Sequence, residues 1–256
     1  MAVYTKLNKN QIDNIILKYD LGTVKKFEGI KEGIENTNYC LETDKGKFIL
    51  TIYEKRVNNR DLPFFSELML GISNKNFICP KPVPNKSNEY ISDIDNKKFM
   101  IVSFLNGKSK KNLSPTDCKI IGTETAKLHE ITKNFSFQRK NDLSIKSWRK
   151  IFDQVKNSCN KIHKDLPKLI EANLVDVEKN WPKNLPSGII HADLFNDNIF
   201  FRKNEFSGFI DFYFSCNDFL IYELAICINA LCFDYKKGKY NLNKNKVANL
   251  IKGYEK

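Results

Sequence analysis

Arginine is scarce in this chain of 256 residues: of 42 cationic side chains only Arg56, Arg60, Arg139, Arg149 and Arg202 are Arg, and the rest are Lys. Set against 30 Asp and Glu, they leave a formal charge of +12. Specific base readout leans on arginine forks. The lysines, moreover, are scattered among many Asn, as in Asn8-Lys9-Asn10 and Asn243-Lys244-Asn245-Lys246. The excess charge reads as a solvated surface with a mild attraction for anionic ligands such as nucleotides, and no nucleic-acid partner is expected. Long apolar runs are missing too. The longest, 224–233, contains Asn229, whereas a membrane span needs roughly 20 residues. The opening Met-Ala-Val-Tyr-Thr-Lys-Leu-Asn has no apolar stretch of signal-peptide length. None of the seven cysteines forms a Cys-x-x-Cys pair, so a zinc site has no support. Their odd number and apolar settings, as in Ile226-Cys227-Ile228, read as buried free thiols in a reducing cytoplasm. There is no Gly-x-x-x-x-Gly-Lys-Ser/Thr and no Gly-x-Gly, which excludes a Walker phosphate loop and a dinucleotide fingerprint.

What is present is enough apolar material for a core: 41% of the chain, with 19 Phe, against disorder and sufficient for one large domain or two small lobes. Ile12, Ile15 and Ile16 mark a short amphipathic helix over 8–18, followed by strand-like segments at 24–27, 38–42 and 47–53. The turn 44–47 joins the last two as a hairpin. A helix is expected over 62–72 and an apolar strand over 98–105. Beyond it, helical periodicity dominates at 118–131, 146–162, 166–178 and 220–232, interrupted by apolar strands at 199–201 and 209–212. The pattern predicts an α+β protein of two lobes: 1–105, an antiparallel sheet with a helix, and 106–256, mainly helical, with a hinge near 103–110.

The densest chemistry lies between Ile189 and Asp211. The spacing is His191-x-Asp193-x-x-x-x-Asn198, with Asp211 thirteen residues later in Ile-Asp-Phe. Asp193 is placed to accept a proton from an attacking hydroxyl; Asn198 and Asp211 offer hard oxygens to Mg²⁺. Those are the parts of phosphoryl transfer, where positioning and charge neutralisation do most of the catalysis. His191 is expected to pack and hydrogen-bond within the loop rather than move protons, and His129 and His163 to be structural or solvated.

His-x-Asp-x-x-x-x-Asn followed by Ile-Asp-Phe resembles the aminoglycoside-phosphotransferase-like branch of the protein-kinase fold. Glu28-Gly-Ile-Lys-Glu-Gly-Ile-Glu-Asn-Thr-Asn-Tyr39, Phe48-Ile-Leu-Thr-Ile-Tyr-Glu-Lys-Arg-Val57, Asp61-Leu-Pro-Phe-Phe65 and Ile210-Asp-Phe-Tyr-Phe-Ser-Cys-Asn-Asp218 resemble the homoserine kinases of that branch, over nearly the whole chain. The resemblance implies transfer of phosphate from ATP, with Mg²⁺, to L-homoserine on the way to threonine, in the cytoplasm. It also implies a nucleotide-binding 1–105 and a catalytic and substrate-binding 106–256; the homoserine kinases it resembles run some tens of residues further, so the chain is expected to be a fragment or a shortened form. A sister activity on choline, an aminoglycoside or another amino alcohol, and a nucleotide-binding pseudokinase, remain alternatives. The Pro-x-x-x-Gly-Leu-Gly-Ser-Ser loop of the unrelated homoserine-kinase fold is absent.

The resemblance also nominates further residues. Gly29, Gly33, Asn36 and Asn38 form a glycine turn between strands, where backbone N–H groups approach phosphates closely. The usual strand lysine falls at Thr51, which carries no charge; Lys55, on the same face if the strand continues, is expected to supply the phosphate contact, with Glu67 as its partner. Ser103 and Leu105 would present backbone groups to adenine. Glu223 stands where the family often has the Asp that braces the catalytic loop, and Asn196 where it often has Pro. For the acceptor, Arg139 and Arg149 are candidate carboxylate forks, and Tyr213, Asn217 and Asp218 could face it.

Overall fold

The computed structural model describes residues 3–33, 35–54 and 56–255. Its first element, α1 (Lys9–Ile16), starts in a capping box in which Asn8 and Gln11 bond each other's backbone N–H groups, and it buries Ile12, Ile15 and Ile16. There follow β1 (Val24–Ile30), β2 (Thr37–Thr43), β3 (Gly46–Ile52), α2 (Leu62–Asn74), β4 (Ile91–Ile94) and β5 (Lys97–Ser103). The five strands make one antiparallel sheet in the order β1-β2-β3-β5-β4.

Alternation along the strands gives that sheet two different faces. Leu50, Ile52, Phe99 and Ile101 pack with the α1 side chains in one core cluster. On the opposite face Tyr53, Met100 and Val102 join α2 residues Phe65, Leu68 and Met69 in a second, larger cluster that continues into the rest of the chain. Ile49 packs against this cluster and Thr51 shares its side of β3, so one stripe of β3 faces the junction between the lobes.

The remainder is mostly helical: α3 (Pro115–Thr132), α4 (Ile145–Cys159), α5 (Leu166–Asn180), β6 (Ser187–Ile190), β7 (Ile199–Arg202), β8 (Glu205–Phe209), β9 (Cys216–Phe219), α6 (Leu220–Leu231), β10 (Phe233–Lys236), β11 (Lys239–Leu242) and α7 (Lys244–Tyr254). These strands form three small antiparallel pairs, β6–β9, β7–β8 and β10–β11. The expected strand at 209–212 divides: β8 ends at Phe209, and Asp211 turns at φ +63° before a single 3₁₀ turn over Phe212–Phe214. A left-handed residue cannot continue a strand, and here it swings the carboxylate out of line.

Helices α3 and α7 cross backbone to backbone. A Cβ on Gly122 would lie 2.0 Å from the Leu250 carbonyl oxygen, and one on Gly253 would lie 2.0 Å from that of Lys119. Thr123 Oγ1 donates to the Gly253 carbonyl at 3.1 Å across the same contact. Only glycine permits this approach. It brings Tyr254 to His129, whose Nδ1 lies 2.8 Å from the tyrosine hydroxyl.

Candidate active site

β6 carries two buried isoleucines, Ile189 and Ile190, to the centre of the molecule and ends just before His191. The imidazole is fully buried, 4.6 Å centroid to centroid from Phe212. Its Nε2 lies 2.9 Å from the Ile210 carbonyl oxygen, and its Nδ1 receives the Asp193 N–H at 3.3 Å. One tautomer satisfies both bonds, with the proton on Nε2. Burial lowers its pKa, which keeps the ring neutral. His191 is therefore a fixed strut between the loop and the segment leading to Asp211.

Ala192 turns at φ +64°, and the strained corner is held from behind by Glu223 of α6, which has no exposure to solvent. Its carboxylate accepts the His191 N–H and, at 3.1 and 3.3 Å to its two oxygens, the Ala192 N–H. The extra methylene relative to Asp does not prevent the brace; the side chain spans from α6 to both amides. His129 Nε2 stands 3.9 Å behind it.

Beyond that corner three side chains converge. Asn198 Nδ2 donates to both the backbone oxygen and Oδ2 of Asp193, each at 2.8 Å. This leaves Asn198 Oδ1 for another partner. The Ile210 N–H donates to the Asn198 carbonyl at 3.0 Å, placing Asp211 beside it. Burial, then the Asp211 charge, pushes Asp193 up to about pH 7. Burial, then the Glu35 charge, pushes Asp211 up to about 6. Asp211 lies deep between the lobes, yet its side chain opens onto a cavity of about 1250 Å³ that Asp193 and Asn198 also line.

The cavity separates the lobes. Ile49 and Val102 of the sheet form its upper wall and Phe200 and Ile210 its lower one, with Ser103, Phe104 and Leu105 between them. That is an apolar slot with a run of backbone at its back, suited to a planar base. Gly33, Asn36 and Asn38 line the roof, and Gly33 turns at φ +89° with open space where a Cβ would sit. Gly29 does not line it; it lies in β1, against Val3. Thr51 lines the roof as well but is tied down, donating to Asn38 Oδ1 at 2.7 Å. Lys55 lies outside the described residues. Glu67, its expected partner, points to solvent from α2 and does not line the cavity, because the α2 face toward the sheet is taken by Leu68, Met69 and Phe65.

On the other side of Asp211 the acceptor candidates separate. Arg139 lines the cavity but already holds Asp61 at 2.7 Å, Asp142 and, at 3.3 Å, the Ser215 carbonyl, with its guanidinium over the Phe65 ring. It ties the start of α2 to the lower lobe. Arg149 is away from the cavity: its fork closes on Glu178 at 3.0 and 2.9 Å and on Glu171, because its face of α4 packs on α5. Tyr213 lines the floor, but its ring is set edge-on against Tyr53 and Phe65, and burial pushes its hydroxyl up to about 12. Asp218 stands one layer back, accepting from Asn141 Nδ2 at 2.6 Å, and Asn141 reaches the cavity in its place. Asn217 holds the Arg139 backbone. Asn196, in the Pro position, donates to the Lys110 carbonyl and so pins the loop to the hinge.

Sequence reading missed Glu35, Arg56 and Asp142, all of which line the cavity. The first two form an ion pair. They are far apart in the chain, and only the fold of the roof brings them together.

The model of the phosphotransferase enzyme family matches residues 26–239. The homoserine kinase of Agrobacterium fabrum is 40% identical over 255 residues, covering 100% of this chain and 78% of that protein. The homoserine kinase of Xanthobacter autotrophicus is 42% identical over the same length, with 100% and 78% covered. Among solved structures, a spectinomycin phosphotransferase in complex with ADP and spectinomycin superposes with a TM-score of 0.75 at 13% identity, over 98% of this chain and 81% of that one. A choline kinase from Cryptosporidium parvum reaches 0.70 at 20% identity, over 96% and 78%. The fold is thus the two-lobed kinase-like one, and the chain, an ATP-dependent small-molecule kinase by descent, belongs to the phosphotransferase enzyme family together with these homoserine kinases.

Proposed function

We propose that the protein transfers the terminal phosphoryl group of ATP to the side-chain hydroxyl of L-homoserine, giving ADP and O-phospho-L-homoserine for threonine synthesis. The observation that carries the substrate is the identity of about 40% with homoserine kinases along the entire chain. The chemistry is supported by Asp193, Asn198 and Asp211 meeting on one cavity wall beneath the glycine turn.

Asp193 is the base. Its raised pKa sits near the operating pH, where a general base works best, and Asn198 fixes the carboxylate that takes the proton. The donor set suits Mg²⁺, a hard cation that commonly takes one or two protein oxygens and completes its shell with water and phosphate. Among the described residues no group of three or more His, Cys, Asp or Glu is arranged to hold a metal, which favours this sparse mode over a closed protein cage. Asp211 and the free oxygen of Asn198 would hold the ion, which when bound neutralises phosphate charge. Adenine fits the slot before Ser103 and Leu105. Asn141, Asp142, Arg139 and Trp148 line the acceptor side. On this reading 1–105 is the nucleotide-binding lobe and 106–256 the catalytic and acceptor-binding lobe. No helix among the described residues is long and apolar enough to cross a membrane, and all seven cysteines are free thiols, as a cytoplasmic setting allows.

A phosphate-transfer assay over homoserine, serine, choline and an aminoglycoside tests the reading. Homoserine should give the highest kcat/KM; a higher value for any other acceptor refutes the substrate.

A further inference from the structure

Protein kinases set a lysine on the third strand against the nucleotide phosphates; here that position is Thr51, buried, uncharged and bonded to Asn38. Three cations line the cavity among the described residues: Lys108, Arg139 and Arg56. Lys108 is on the hinge, its backbone bridged to Phe201, on the base side of the slot. Arg139 is saturated by Asp61, Asp142 and the Ser215 carbonyl. Arg56 differs from both. It leaves the end of β3, lies over the ring of Phe214 at 5.3 Å, three residues past Asp211, and among the described residues its one ion pair is with Glu35 of the glycine turn. More than half of its side chain is open to solvent. Glu35 in turn is close enough for its charge to be felt at both Asp193 and Asp211. A roof carboxylate thus faces the reacting carboxylates across the space where phosphates would lie, and Arg56 is what it holds.

We propose that Arg56 grips the polyphosphate of the nucleotide in place of the missing strand lysine, and that Glu35 is its internal competitor, displaced when the nucleotide enters. This rests on the phosphotransfer reading above. A guanidinium fork suits phosphate oxygens as well as it suits a carboxylate, so an exchange of one anion for the other conserves the bonding of Arg56.

Titration calorimetry of the full chain with Mg·ATP and with adenosine, alongside turnover, tests it. Arg56→Gln removes the guanidinium and its charge while leaving a polar side chain; it should weaken Mg·ATP by about 10–100-fold, the worth of charged hydrogen bonds, and leave adenosine unchanged. Glu35→Gln should tighten Mg·ATP by roughly 3–10-fold and do nothing in the Arg56→Gln background, the signature of a shared partner. The proposal is overturned if Arg56→Gln binds Mg·ATP as the parent does, if Lys55→Met alone carries the loss, or if Glu35→Gln weakens binding. A parent that binds neither Mg·ATP nor adenosine refutes the phosphotransfer reading itself; a parent that turns over ATP with Arg56→Gln unaffected refutes only the assignment.

Discussion

Replacing Glu223 by Gln removes very little volume and should still cost much. The carboxylate is wholly buried and accepts the N–H groups of His191 and Ala192. Gln offers one acceptor oxygen for two donors, and its NH₂ must face the other N–H. One buried backbone donor is left unpaired, at about 1–3 kcal/mol, and one hydrogen bond to a charged acceptor becomes neutral, at about another 1 kcal/mol. The sum is about 2–4 kcal/mol. At roughly 2–4 °C per kcal/mol for a domain of this size, the melting temperature should fall by about 5–15 °C. The same change frees the corner at Ala192, whose positive φ is costly without a grip. Asp193, next along the chain, then drifts, and a misplacement of about 1 Å costs about 100-fold in turnover. Differential scanning calorimetry and steady-state kinetics read both effects. Glu223→Asp keeps the charge but shortens the reach, and should lose turnover while keeping more of the stability. A Glu223→Gln protein that melts within a degree of the parent and turns over at the parent rate would show that the loop supports itself and that the brace is incidental.

Asp193→Asn should abolish turnover yet raise the melting temperature above pH 7, with the gain shrinking toward pH 4. The folded carboxyl keeps its proton up to about pH 7 whereas the solvent-exposed one in the unfolded chain would release it near 3.8; between those values the fold binds more protons, so its stability falls as pH rises. Scans at pH 5 and 8 check the sign, and an equal shift at both would contradict it. In the parent, kcat/KM should climb with pH through the neutral range as the base loses its proton. Gly122→Ala should destabilise by about 3 kcal/mol or more, at the top of the overpacking range, because its Cβ meets a backbone oxygen 2.0 Å away; urea unfolding measures it, and a change below about 1 kcal/mol would mean that α7 slides aside freely. Arg149→Ala should leave KM for the acceptor within about twofold, since the side chain serves Glu171 and Glu178 at the surface; a tenfold rise would return it to the binding site.

Most strands of the first lobe and the long helices were legible because their signals are local. The apolar runs of β3 and β5 mark strands covered on both faces, and the isoleucine spacing of α1 fixes which side of that helix is buried, whatever lies beyond. β4, β6 and β9 were not foreseen; each is four residues long, too short for a period to show, and each exists because a partner strand supplies its hydrogen bonds. The break at Asp211 was also missed, since Phe-Ile-Asp-Phe-Tyr reads as strand until the left-handed residue is seen. The Asp193, Asn198 and Asp211 positions could be read because the motif is local and a hairpin between two apolar strands returns Asp211 to Asn198. Arg149 looked like a substrate fork because nothing in its neighbourhood reveals Glu171 and Glu178. Arg56 and Glu35 had no local signal: twenty-one positions apart, they meet only when the sheet folds the roof.

The glycine crossing of α3 and α7 reaches further than its own stability. Through it Tyr254 touches His129, and His129 backs the acid that grips the catalytic corner. The ribosome makes α7 after every other described element, so a nascent chain has Asp193 and Asp211 long before the wall behind them is in place. The backing of the corner at Ala192 is therefore completed only when the last described helix docks, whatever the first lobe has already formed.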